Sequence, residues 1–170
     1  MADPNKTIAF QGAPGANSDM ACRAVYPTME TRPCNAFEDA FEAVASAQAK
    51  YAMIPIDNSV AGRVADIHHL MPDSGLFIIG EHYQRVNHQL LTVPGTNIND
   101  ITHVHSHVHA LNQCRNLIRE MGVQPVVHAD TAGAARDIAE WADKTQAALS
   151  SSLAAGLYGL DTLRDEAEDA

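Results

Sequence analysis

Residues 102–141, THVHSHVHALNQCRNLIREMGVQPVVHADTAGAARDIAEW, decide the fold class. An extended run over 102–105 leads into a helical run over 109–121, where Leu111, Cys114, Leu117 and Ile118 recur at the spacing of one helix face. A second extended run covers 123–128, and a second helical run covers 131–141. Strand, helix, strand, helix in that order predicts a largely parallel α/β sheet, because parallel strands need a crossover and a helix is the usual one.

The same alternation extends in both directions. Toward the carboxyl end, 147–149 reads as a short strand and 152–158 as a helix stopped by Gly159. Toward the amino end, 89–93 is a strand closed by Pro94-Gly95. Further back, a strand over 8–10 stops at Gly12-Ala13-Pro14-Gly15, and a helix over 18–25 follows. Phe37, Phe41, Val44 and Ala45 predict a helix over 37–48, with Asn35 as its cap. Residues 51–56 read as a strand that Pro55 bends or confines to an edge. Asn58-Ser59 precede a helical run over 60–71, and 76–80 is a strand. The fresh α/β series after that strand suggests two lobes with a cleft between them. Internal repeats and low-complexity stretches are absent from the sequence.

Composition narrows the function. Eleven basic against 21 acidic residues in 170 give a net charge of −10, which disfavours a nucleic-acid groove or an anionic membrane surface. With 46% hydrophobic residues there is material for a core. Cys22, Cys34 and Cys114 are odd in number and far apart, fitting neither a disulfide framework nor a thiolate zinc site. No apolar run reaches the ~18 residues of a membrane span. A cytoplasmic protein is expected.

Several strand-to-helix junctions carry uncharged hydrogen-bonding residues: Gln11 and Ser18, Asn58-Ser59, Ser106-His107, and Thr131. Helix N-termini offer free N–H groups and the positive end of a dipole, so converging junctions can hold an anion without net positive charge. Any one of them is more often a plain helix cap. The alternating His103, His105, His107 and His109 invite a metal reading. No carboxylate or thiolate lies close in sequence, however, and a helix starting near His109 breaks the alternation, so neither metal nor cofactor is expected. GAPG lacks the ending of a phosphate loop. Cys114 belongs to an apolar helix face and reads as core.

Six segments, in order, resemble the catalytic domain of prephenate dehydratases: IAFQGAPGANS at 8–18, IPIDNSVAGRV at 54–64, IIGEH at 78–82, HSHVHALNQC at 105–114, DTAGAA at 130–135 and AALSSSLAAGLYGL at 147–160. The family reads G-P-x-G-T-F-S, P-x-E-N-S-x-x-G-x-V and S-H-x-Q-A-L-x-Q-C at the first, second and fourth. The resemblance implies a two-lobed α/β fold of the periplasmic-binding-protein type (type II), with lobes of 1–81 plus about 158–170, and 82–157. It further implies prephenate as substrate, no nucleic-acid or membrane partner, and room for a homodimer.

Carried over by position, Asn58, Ser106 and Gln113 are the implied catalytic residues. Ser18, Ser59, His107 and Thr131 are the implied substrate-binding ones. The implied reaction expels carbon dioxide and water from a dianion, with aromatisation as driving force. A strong cation on the departing carboxylate would stabilise the ground state, so neutral donors suit it. Ala16-Asn17, Asp57 and Val108-His109 depart from the family's Thr-Phe, Glu and Pro-Gln. The family's Thr-Arg-Phe motif would follow Asp169, and no ACT domain lies in these 170 residues, so the resemblance implies weak binding and poor turnover for this stretch alone. A small-carboxylate binding protein on the same scaffold is the competing expectation.

Overall fold

The computed structural model describes residues 3–60 and 62–169. They divide into two compact units. One runs through Ala13 and resumes over Asn17–Gln84; the other comprises Pro14–Ala16 and the chain from Arg85 onward.

In the first unit, β1 (Thr7–Gln11) is the centre of a three-stranded parallel sheet, flanked by β2 (Glu30–Cys34) and β3 (Tyr51–Met53). Ile8, Ala9 and Phe10 are buried in succession, as expected of a strand covered on both faces. Helices α1 (Asn17–Val25) and α2 (Phe37–Ala45) pack on it, and α2 contributes Ala40 and Ala43 to a core with Ala9, Cys34 and Ala49. Asn35 is not the cap of α2. Ala36 takes that place, and its amide donates back to Asp39 Oδ2 at 3.1 Å.

Beyond β3 the structure departs from the predicted helix over 60–71. β4 (Asp57–Asn58) pairs antiparallel with β5 (Gly62–Arg63), and only α3 (Ala65–Leu70) is helical; Ala61 of the expected run lies outside the described residues. The predicted strand over 76–80 does not form either. Phe77, Ile78 and Ile79 are exposed and pair with no strand among the described residues.

The second unit holds a five-stranded mixed sheet in the order β10-β6-β9-β7-β8. Its strands are β6 (Gln89–Thr92), β7 (His103–Ser106), β8 (Gln124–Val127), β9 (Gln146–Ser150) and β10 (Asp161–Arg164). β7, β8 and β9 are mutually parallel, while β6 runs antiparallel to both β9 and β10. β10, which lies in the stretch expected in the first lobe, takes its hydrogen-bonding partner from β6 of the second unit's sheet.

Alternation along β7 sends Val104 to one face and His103 and His105 to the other. Val104 joins a core with Leu90, Leu111, Leu117, Val123 and Leu149. On the other face lies α6 (Thr131–Trp141), whose buried Ala132, Gly133, Ala134 and Ala135 allow close approach to the sheet. The predicted helix over 109–121 is two helices, α4 (Val108–Gln113) and α5 (Arg115–Met121), broken at Cys114 (φ −118°, ψ 30°). The last helix is α7 (Ser152–Tyr158), ended by Gly159 in the left-handed region. Among the described residues no helix is long and apolar enough to cross a membrane.

Candidate functional site

Three parallel strands, adjacent in the order β9-β7-β8, end on the same side of the second unit's sheet, where open α/β sheets bind ligands. Ser106 is the last residue of β7, Thr131 opens α6 after β8, and Ser150-Ser151 connect β9 to α7. Each helix that starts there is capped by its own side chain. His107 Nδ1 accepts the His109 amide at 3.3 Å, Asp130 Oδ1 accepts the Gly133 amide at 2.6 Å, and Ser151 Oγ accepts the Ala154 amide at 3.1 Å. Thr131 is thus not a cap, as its place in the sequence suggested, but the first helical residue behind one. Its hydroxyl and the amides ahead of Gly133 are the donors that α6 presents.

Ser106 is fully buried, and its hydroxyl donates to the Leu149 carbonyl at 2.6 Å. With its proton committed, that oxygen offers a ligand only a lone pair. Donation near Ser106 must come from the next amide in the chain.

Gln113 closes α4. Its Oε1 lies 2.8 Å from Nε2 of His88, a buried histidine just before β6, and its carbonyl accepts the Asp169 amide at 2.6 Å. A carbonyl oxygen there requires His88 to donate, which turns the two N–H groups of Gln113 Nε2 away from His88 and makes them the donors that the side chain can offer elsewhere. The carboxyl-terminal segment holds the pair. The His88 amide donates to Glu168 Oε2, its carbonyl accepts from Ala167, and the Asp169 carboxylate accepts the Asn116 amide at the start of α5. His88 and Asp169 escape sequence reasoning because neither stands in a motif; the contacts that define them span 25 and 53 residues.

Ser18, Asn58 and Ser59 lie in the first unit. Ser18 sits in the first turn of α1 and is half-buried. Asn58 ends β4 rather than leading into a helix, and its Oδ1 accepts the Val60 amide at 2.9 Å; Ser59 is exposed in the turn that follows. The structure therefore groups Ser106, His107, Gln113 and Thr131 in one unit, and Ser18, Asn58 and Ser59 in the other.

Nucleophilic cysteine chemistry has no support here. Burial pushes the Cys22 and Cys114 thiols up to about 12, with Asp19 adding to the first and Glu168 and Asp169 to the second. Among the described residues no cluster of histidine, cysteine, aspartate or glutamate could hold a metal ion. Burial also lowers the pKa of His105 and His107.

The chain is 50% identical over 165 residues to a bifunctional N-acyl-homoserine lactone acylase/prephenate dehydratase of Komagataeibacter europaeus, covering 97% of this chain and 59% of that protein. It is 40% identical over 167 residues to the chloroplastic arogenate dehydratase/prephenate dehydratase 1 of Arabidopsis thaliana, covering 98% of this chain and 43% of the relative. The crystal structure of prephenate dehydratase from Arthrobacter aurescens in complex with L-Phe superposes with a TM-score of 0.88 at 30% identity, over 96% of this chain and 56% of that one. The chain thus spans about half the length of the relatives it matches. The prephenate dehydratase family model matches residues 8–170, and the chain belongs to that family.

Proposed function

We propose that this chain catalyses the decarboxylating dehydration of prephenate to phenylpyruvate. The observation that carries the reading is Gln113, whose oxygen is occupied by buried His88 so that its amide donors are left for a ligand. Gln113 orients the ring hydroxyl that leaves as water, and Asn58, in the first unit, keeps the catalytic role that its motif implies. Thr131 and the amide beyond Ser106 grip the pyruvyl carboxylate, and Ser18, Ser59 and His107 keep the substrate-binding roles that their motifs imply.

None of these groups is cationic while His107 stays neutral, and burial favours its neutral form. That suits a reaction in which the ring carboxylate must depart: neutral donors hold the retained carboxylate without paying to release a tightly paired leaving one. The two bonds break as the ring electrons become aromatic. The ring carboxylate leaves as carbon dioxide, its C–C electron pair enters the ring, and the ring C–O bond breaks to release hydroxide, which takes a proton from solvent and departs as water. An overall charge of −10 opposes long-range attraction of the dianion, so binding depends on short-range donors.

The test is turnover of prephenate followed by phenylpyruvate absorbance, with arogenate and an N-acyl-homoserine lactone as alternative substrates. Asn58→Ala and Gln113→Leu should each lower kcat by about 100-fold, the scale for removing a donor from developing charge. Full turnover in both variants refutes the allocation of roles, and activity confined to the lactone refutes the reaction.

A further inference from the structure

The carboxyl end of β8 carries a side-chain network that the proposed reaction leaves unused. His128 follows β8, and its main-chain N–H donates to the Ser106 carbonyl at 2.8 Å. Its ring places Nε2 3.0 Å from His105 Nδ1, and Nδ1 3.6 Å from Asp137 Oδ2 on α6. His105 Nε2 in turn lies 2.7 Å from Gln146 Oε1 on β9. The Trp141 ring lies against both imidazoles, at centroid distances of 5.2 and 6.0 Å.

Gln146 fixes the direction of these bonds. Its Nε2 donates to Thr145 Oγ1 and Asp143 Oδ2, so the end facing His105 is the carbonyl oxygen, an acceptor. His105 must therefore carry its hydrogen on Nε2, which leaves Nδ1 bare in the neutral ring, and burial favours the neutral ring. A bare Nδ1 accepts from His128 Nε2–H. In a neutral His128 the other nitrogen, Nδ1, is then also bare and faces the Asp137 carboxylate, acceptor against acceptor.

The network has one place for an added proton, His128 Nδ1, and filling it converts that contact into a charge-assisted pair. The charged and titratable groups facing the pair come from every neighbouring element. Asp137 Oδ1 is held by Arg136 at 2.8 and 3.1 Å, and Arg136 also lies 4.0 Å from Glu140, all on α6. His103 on β7 stands 6.4 Å from His105, ring to ring, and is bonded to Thr102. Asp143 receives Gln146, and Asp130 spends an oxygen on Gly133.

We propose that His128 is a positioning residue for the corner that holds Ser106 and Thr131: through His105 and Asp137 it joins β7 to α6, and the join tightens when the histidine pair takes up one proton. Its main chain fixes the Ser106 carbonyl, and its side chain draws α6, which begins at Thr131, back onto the strand end. The inference rests on reading Thr131 and the amide beyond Ser106 as substrate-binding groups; the proton arrangement does not.

Long-range proton–nitrogen NMR on the nitrogen-15-labelled chain, titrated from pH 8 to pH 5 with and without prephenate, tests both parts. His105 should keep its hydrogen on Nε2, the added proton should appear on His128 Nδ1, and Trp141 fluorescence should change with the same midpoint. Asp137→Asn should remove the hydrogen-bonded His128 Nδ1–H signal, and Asp137→Glu should restore it. Prephenate affinity, normalised to its value at pH 8, should rise roughly three- to ten-fold more across the titration in the wild type than in Asp137→Asn. A hydrogen on His105 Nδ1, or a His128 Nδ1–H signal indifferent to Asp137→Asn, overturns the join. Identical affinity profiles in the two proteins overturn the positioning role. A wild type that binds no prephenate at any pH overturns the functional reading and the positioning role with it, while the titration still decides the join.

Discussion

At the first turn of α4, Nδ1 of His107 accepts the His109 amide, a role that a protonated imidazole cannot fill. A positive charge there would also oppose the positive end of the helix dipole. Burial first, and His109 second, lower the His107 pKa below its ordinary 6.5, against an opposing pull from Asp130. Stability linked to a base with a depressed folded-state pKa is present above the unfolded value and is lost as pH falls through the folded value. The acid limb of the stability curve should therefore begin below pH 6.5. His107→Asn, which caps without titrating, should flatten that limb while changing stability at pH 8 by no more than about 1 kcal/mol, as urea denaturation at several pH values would show. The cap type was only partly legible in the sequence. Ser106-His107 and Thr131 mark their junctions correctly, yet the side chain that caps α6 is Asp130, one residue earlier. His88 had no local signal at all, since its importance lies in a bond to Gln113 25 residues away.

Among elements, the turn between β1 and α1 shows why a glycine is needed there. Gly15 has φ +91°, and a Cβ on it would lie 2.9 Å from the α7 backbone at Ala154. Its carbonyl also accepts from Ser151. Gly15→Ala should cost about 2–3 kcal/mol, from backbone strain and the displacement of α7 together, measurable as a lowered urea midpoint with an unchanged slope. Elements with strong periodicity were readable: α6 and α7 have the boundaries that the pattern of apolar residues predicts. The misses share a cause in tertiary pairing. β2, with Pro33 and an exposed, charged face, is a strand because β1 lies beside it, and β10 because β6 does. The break at Cys114 follows the same logic, for the start of α5 is capped by a carboxylate from residue 169. In the opposite sense, the apolar run at 76–79 has strand composition and finds no partner strand among the described residues.

For the whole molecule, the division at Gln84 falls within a stretch, 75–88, that has no regular secondary structure. Phe77 and Tyr83 are each 86% exposed there, an uncommon state for aromatic side chains. Brief chymotrypsin treatment should cut first after Phe77 or Tyr83, giving two fragments identifiable by mass that separate most of the two units; first cuts within α6 or α7 would contradict this account. The second unit has a further property that concerns its manufacture. Its sheet is completed by β10, and Ala167, Glu168 and Asp169 supply the bonds that hold His88 and Gln113. A ribosome delivers the chain from its amino end at about 5–20 residues/s, so the first unit can be whole while β6, α4 and α5 still wait for residues 161–169. Until they emerge, the nascent second unit carries an open sheet edge at β6 and an uncapped α5, and that interval is when chaperones have most to offer it.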